Sequence, residues 1–521
     1  MSRNASSSVV RRPSSVVRRL IELIVLSTAM AIMFGAWTPQ AGAQWTVTFN
    51  VDEQQAATVL GQERVAPMQQ ALARVKGRLD QILSGSTGSS IITVDWTAPP
   101  SGALADATAS AFHVATVAVA RDKLINKSTE DGEPAGEILM YESLPATAVP
   151  FRYDAVTVLS AGFIAIPNSL NKHLAFQPTT ELNDGVMRFA PPNATTKWQF
   201  WRTNKNLESH EVFEAVAMHE ALHLLGFQSS GDSILSPSSL QSWDVFRFGD
   251  AAVPVSAAQF TTLARELRPT EEATAVTQLG TANGAYKLSR GKRTGGDGFQ
   301  ASHWRALTRL NPQVAIGVMD PGGSRSIYNS LGRRFITRAD VEALDVMGWN
   351  VNPGAIQYTA ADPVTLVSPA ASAQVAAGEP ITFEWESGAF LDWDVYIYTG
   401  TEIVDDNPVR VFYQLPSTTL TVTLTAENSL PPGEYVWVVV GGTFAGSGIS
   451  EERRLTILAG CDADVNCDGS VNGADVEVQE LAVSGDLTDY CQPDADFNQD
   501  GAVNGTDVEA VELVVGGGPC P

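Results

Sequence analysis

Ala215-Val216-Ala217-Met218-His219-Glu220-Ala221-Leu222-His223-Leu224-Leu225-Gly226-Phe227 is an apolar helical run interrupted by two histidines and a glutamate. Residues four apart on a helix stand one turn above each other on the same face, so both imidazoles reach one metal ion and Glu220 lies beside it. The H-E-x-x-H order suits zinc. That metal takes imidazole nitrogen at about 2.0–2.1 Å, and a catalytic site keeps one position for a water whose pKa falls to about 7. Glu220 is then the base for that water.

The chain of 521 residues is too long for one ordinary core, and its length suggests roughly three domains. With 44% apolar and 18% charged residues the composition is globular. The net charge of −24 argues against nucleic acid or an anionic membrane as partner, because those need clustered Lys and Arg. From Cys461 onward there are 14 Asp and Glu and no Lys or Arg, so a short tail carries more than half of the net charge.

The N-terminus carries Arg3, Arg11, Arg12, Arg18 and Arg19, then an apolar run over residues 23–34, then Ala41-Gly42-Ala43 before Gln44. This is the layout of a secretory signal peptide spanning 1–43, with Arg18-Arg19 leaving a twin-arginine route open beside the general one. No later segment offers the roughly 18 uninterrupted apolar residues of a membrane span. The mature protein is therefore expected outside the cytoplasm, secreted or associated with the cell surface. All four cysteines, Cys461, Cys467, Cys491 and Cys520, lie in the acidic tail and read as two disulfides with three possible connectivities.

Residues 44–352 mix helix and strand signals and are expected to form an α+β catalytic domain. Glu63 to Leu83 has apolar residues at helical spacing; Ile91 to Trp96 reads as a strand just after it. Ala155 to Ile166 and Gly185 to Ala190 are further strands, the second expected at the sheet edge along a cleft, where an extended peptide can pair. The segment from Trp45 to about Pro145 reads as the first half of this fold rather than as a propeptide.

Two histidines do not complete a zinc site, which usually takes three protein ligands. His113, His173 and His210 lack metal-site spacing and read as surface or structural residues. In the extended pattern H-E-x-x-H-x-x-G-x-x-H, Gly226 is in place but position 229 is Ser229, a poor zinc ligand. The missing ligand is therefore Asp232, close by, or His303, much later.

His303 stands in Gln300-Ala301-Ser302-His303-Trp304, and Met319 follows in Ile316-Gly317-Val318-Met319-Asp320-Pro321. H-E-x-x-H-x-x-G-F, an insertion, S-H-W and a methionine turn resemble the leishmanolysin-like branch of the metzincin zinc proteases. The resemblance implies that His219, His223 and His303 bind Zn2+, that Glu220 is the catalytic base, that Gly226 lets the chain turn and that Met319 floors the metal. It extends to residues 336–349, similar to the helix that closes the family's catalytic domain; here Thr337 with Asp340 resembles a capping box. The long insertion and the absence of the family's disulfides are departures.

From 353 to 459 seven strand-like runs with turn signals between them imply a β-sandwich of fibronectin type III or immunoglobulin-like kind, a spacer or binding module, with Phe383 and Trp385 inside. In residues 460–521 the stretch Asp464 to Asp475 returns 32 residues later as Asp496 to Asp507. Each copy is a Ca2+ loop: Asp464, Asn466, Asp468, Ser470, Asn472 and Asp475 in the first, Asp496, Asn498, Asp500, Ala502, Asn504 and Asp507 in the second, with glycine at position 6 for the sharp turn. Aspartate at position 12 and the short helix after each loop make this small α-helical pair similar to type I dockerin, which implies a cohesin-type or cell-surface scaffold as partner. The expected function is a secreted zinc endopeptidase acting on polypeptides; the alternative is an adhesion protein with a degenerate protease fold, against which the intact Glu220 argues.

Overall fold

The computed structural model describes residues 45–83, 88–131, 135–154, 157–176, 182–193, 197–201, 210–233, 235–279, 285–310, 315–321, 336–352, 354, 363–403, 406–442, 447–458, 462–498 and 500–518. The expected signal peptide 1–43, Cys461 and Cys520 lie outside the described residues.

Strand β1 (Trp45–Val51) leads through a short helix, Glu53–Leu60, to helix α1 (Gln62–Ile82), which buries Val65, Met68, Leu72, Val75, Leu79 and Ile82 along one stripe, as the helical spacing predicts. Next come β2 (Gly88–Asp95), whose Ser90, Ile92 and Val94 point inward in alternation, β3 (Ala105–Ala109) and β4 (Gly185–Phe189). The sheet order is β1-β2-β4-β3. The first three of these run parallel, while β3 is antiparallel to β4, with Ala105 opposite Phe189 and Ala109 opposite Gly185. The segment expected at the sheet edge is therefore interior: β4 is hydrogen-bonded on both sides, and β3 takes the edge. The stretch expected as one strand over residues 155–166 divides into Val158–Ala161 and Phe163–Pro167 in two different sheets.

Helix α2 (Phe213–Leu225) carries the H-E-x-x-H residues beneath this sheet. A single hydrophobic core runs from Trp45 to Val351 and includes both α2 and the last helix of the unit, α3 (Arg338–Val346). That helix starts on the expected capping box of Thr337 and Asp340. Just after it, Trp349 donates its indole N–H to the Leu225 carbonyl at 2.7 Å, tying the end of the unit to the end of α2. The insertion between His223 and His303 is folded: Arg247–Gly249, Arg265–Glu266, Ala273–Val276 and Ala285–Leu288 join Val149–Arg152 and Val158–Ala161 in a six-stranded sheet.

Among the described residues the sandwich has nine strands rather than seven: β5 (Leu366–Ser368), β6 (Ala373–Ala376), β7 (Ile381–Trp385), β8 (Asp392–Thr399), β9 (Arg410–Pro416), β10 (Thr421–Leu424), β11 (Gly433–Gly442), β12 (Ser447–Ile449) and β13 (Arg453–Leu458). One sheet is β5-β7-β10; the other is β6-β13-β11-β8-β9, with β12 on β11. Phe383 and Trp385 pack in the core between them with Trp393, Trp437 and Val439.

The sandwich is seated directly on the N-terminal unit. The outward residues of its larger sheet, Tyr396, Tyr398, Val436, Val438 and Val440, form a second apolar layer that includes Trp201. Beside it Asp406 accepts Arg64 at 2.7 Å and the backbone N–H groups of Phe200 and Trp201 at 2.7 and 3.0 Å. Burial, opposed by the Arg64 charge, pushes the Asp406 carboxyl up to about 6 from the usual 3.8. The folded chain then takes up this proton before the unfolded chain does as pH falls. Between about pH 6 and pH 4 this group makes folding more favourable with acidification. In Asp406→Asn that increment is absent, so its melting temperature is expected to fall more steeply than that of the parent between pH 6.5 and 4.5 by scanning calorimetry.

At the C-terminus α4 (Gly473–Val483) and α5 (Gly505–Val515) pack on each other over Ala463, Val465 and Val511. Among the described residues no helix is long and apolar enough to cross a membrane.

Candidate metal centre and calcium loops

Helix α2 lacks a side-chain N-cap, but Glu214 in its first turn pairs with the buried Arg74 of α1, placing negative charge where the helix dipole favours it. One and two turns on, His219 and His223 project from one face. The helix stops at Gly226, whose φ of +139° disfavours any residue with a side chain, and whose missing Cβ leaves room for Met347 at 3.0 Å. Ser229 has a structural task instead of ligation: its hydroxyl donates to Asp244 at 2.5 Å and accepts the Gly231 N–H at 3.0 Å.

His303 comes back to α2 along the inserted sheet. Its carbonyl accepts the Ser289 N–H at 3.0 Å, and Arg305 N–H reaches the Lys287 carbonyl at 2.8 Å, so residues 303–305 add onto Ala285–Leu288. Asp232 braces this segment. Its two oxygens accept the backbone N–H of Lys292 at 2.6 Å and of Ala301 at 2.7 Å. The buried Arg247 holds the other side, donating to the Ala301 and Ser289 carbonyls.

The result is one cluster, His219, His223 and His303, whose candidate ligand atoms all lie within 4.8 Å of one another. The ring centroids are 4.9 Å apart pairwise. Each Nδ1 faces a backbone carbonyl: His219 that of Val318 at 2.6 Å, His223 that of Phe227 at 2.7 Å, His303 that of Gln300 at 3.2 Å. A carbonyl only accepts, so Nδ1 carries the proton and Nε2 is left as a lone-pair donor, the arrangement that orients histidine ligands. The Nε2 atoms of His219 and His303 stand 3.0 Å apart. Burial lowers His219 to about 4; burial and then His219 lower His223 to about 3; burial and its two neighbours hold His303 well below the ordinary value. All three are neutral at pH 7, the form that binds metal.

Glu220 is buried beside them, and burial, reinforced by Asp106, raises its carboxyl to about 8. The loop at 317–319 closes the cluster. Val318 supplies the carbonyl for His219, Met319 is fully buried, and its carbonyl accepts the Trp304 N–H at 3.0 Å. The three histidines and Glu220 line a cavity of about 440 Å³ together with Leu104 to Ala107, at and just before the β3 edge, and with Lys292, Phe299 and Gln300. The part played by β3 was not visible in its sequence.

The remaining histidines lie elsewhere. His113 is in the strand Phe112–Thr116, and His210 is in the strand His210–Val212, which ends before α2 begins. His173 is buried, stacked on Trp349 at 4.4 Å, and accepts the Asn350 N–H at 3.2 Å; burial drops it to about 3.

The two tail loops repeat each other closely. Asp464 accepts the Asp468 and Gly469 N–H at 3.0 and 2.9 Å; Asp496 accepts those of Asp500 and Gly501 at 3.1 and 2.8 Å. Asp475 and Asp507, both fully buried, each accept an N–H from loop position 3, Asn466 or Asn498, and from position 9, Asn472 or Asn504. Asn472 and Asn504 also cap α4 and α5. The carboxylates and carbonyls of these loops are the hard oxygen ligands calcium takes. Cys467, at position 4 of the first loop, is bonded to Cys491, while position 4 of the second loop is Gln499.

Residues 462–513 match the dockerin type I domain, so the C-terminal pair is a dockerin module, with calcium as its ion. No curated protein matches the chain. Among solved structures it is similar to fibronectin(III)-like modules of Clostridium thermocellum CbhA, with 20% identity, 18% of this chain and 94% of that chain covered, and a TM-score of 0.14. It is also similar to the FN1-FN3 domains of chicken CNTN1, with 13% identity, 20% and 37% covered, and a TM-score of 0.15. A third is the endo-beta-1,4-mannanase from Thermotoga petrophila, with 12% identity, 23% of each chain covered, and a TM-score of 0.15.

Proposed function

We propose that this protein is a zinc-dependent endopeptidase of the leishmanolysin-like metzincin kind, held by its dockerin module on a cohesin-bearing scaffold or cell surface outside the cell. The observation that carries the reading is the convergence of three neutral imidazoles, His223 and His303 buried and His219 half-buried, each with Nδ1 engaged by a backbone carbonyl, beside the buried carboxyl of Glu220. A packed helix has no use for such a set, since burying ionisable groups costs free energy that apolar side chains avoid.

His219, His223 and His303 would hold the zinc, which when bound would supply Lewis acidity toward a carbonyl and a water. The chain's own residues do the rest. The β3 edge pairs with an extended peptide and lays it across the cleft. Glu220 takes a proton from the attacking water and returns it to the leaving amine. Met319 closes the floor, and Asp232 holds the His303 segment without ligating.

Zinc content of two variants tests the ligand set. A residue that only braces a ligand typically costs about 10–100-fold in metal affinity, so His303→Ala is expected to lose at least that much, together with proteolysis. Asp232→Ala is expected to retain stoichiometric zinc at saturating metal. Full zinc and full activity in His303→Ala would overturn the assignment.

A further inference from the structure

We propose that Lys292 is a specificity-determining residue of the cleft, pairing with an acidic side chain of the substrate close to the scissile bond; this rests on the endopeptidase reading above. Apart from Glu220 and the histidines, the charged residues lining the cavity are Asp106, Asp232 and Lys292. Two of these are engaged. Asp106 is paired with Arg188 at 3.3 Å, and Asp232 spends both oxygens on backbone N–H groups. The Lys292 ammonium has no hydrogen-bond or ion-pair partner among the described residues.

The base of Lys292 is nevertheless fixed. Its own N–H donates to Asp232 at 2.6 Å, and Arg293 donates to the Gly231 carbonyl at 2.7 Å while its guanidinium lies 3.7 Å above the Tyr153 ring. A pinned backbone with a free four-carbon stem presents a point charge that adapts to a carboxylate within its reach. The surrounding field works the other way. At a net charge of −24 the protein as a whole repels acidic peptides, so a preference for them has to come from a local cation.

The test compares the zinc-loaded full chain, Lys292→Ala and Lys292→Glu on paired peptides that differ only by Glu or Gln, or by Lys or Gln, within two residues of one cleavage point. The parent is expected to favour Glu over Gln by about threefold in kcat/KM, the size of a partly exposed ion pair. This ratio should shrink in high salt. Lys292→Ala loses the preference, and Lys292→Glu reverses it in favour of Lys. The same Glu-to-Gln ratio in all three active proteins overturns the inference and leaves the endopeptidase reading standing. No cleavage by any of the three, with stoichiometric zinc bound, overturns both.

Discussion

Replacing Glu220 with glutamine is expected to lower kcat/KM on peptide substrates by about 10²–10⁴-fold, the range that general acid–base catalysis contributes, while zinc content stays stoichiometric. Glutamine keeps the shape and one acceptor of the side chain but cannot carry the proton between water and leaving amine. The change is confined to that role because Glu220 lies beside the three imidazoles and is not one of the cluster that can hold the metal. Burial lifts the carboxyl to about 8, and a cation at the histidines would favour the ionised form. Hydrolysis followed by mass spectrometry, at matched zinc measured by elemental analysis, reads the effect. A variant within tenfold of the parent would remove Glu220 from the mechanism.

Asp340→Ala is expected to destabilise the N-terminal unit by about 3–5 kcal/mol in urea unfolding, the cost of deleting one partner from a buried charged or multiply hydrogen-bonded group. Asp340 is fully buried and accepts the Trp304 indole N–H at 2.7 Å, the Val318 N–H at 2.9 Å and the Thr337 N–H at 2.8 Å. Burial raises its carboxyl even so. Alanine leaves these donors in the core without acceptors. The same carboxylate fills the space at Gly317, where an added Cβ would stand 2.3 Å from it. One side chain thus joins α3, the residue after His303 and the loop whose carbonyl orients His219. A second expected result follows from that junction: zinc affinity falls in Asp340→Ala, although the residue touches no ligand atom. Asp340→Asn, which keeps an acceptor, is expected to lose less of both.

The parts of the site legible in sequence were local ones. His219, Glu220 and His223 share a helical turn and a half, Thr337 and Asp340 form a cap four residues long, and the calcium loops are repeated. His303 could be placed with its partners through a family resemblance but not through spacing, because a whole sheet carries it back to α2. The cleft edge was misplaced for a physical reason. Ala105-Asp106-Ala107-Thr108-Ala109 has neither bulk nor β-branched alternation, while β4 looks the stronger strand because it is the more buried. The seating of the sandwich rests on Arg64 and Asp406, 342 residues apart, which no local pattern connects. One signal was available. Tyr435-Val436-Trp437-Val438-Val439-Val440 shows no alternation, and an unbroken apolar run marks a strand covered on both faces.

That two-sided covering also bears on how such a gene can be reshuffled. Modules strung on bare linkers exchange freely, since each brings its own finished surface. Here a crossover near residue 352 that imported a foreign sandwich would leave Trp201 without its apolar seat and Arg64 without its carboxylate, so the first two units are expected to exchange only as a block. The dockerin pair, with its own small core, its disulfide and its calcium loops, is the piece that can be traded.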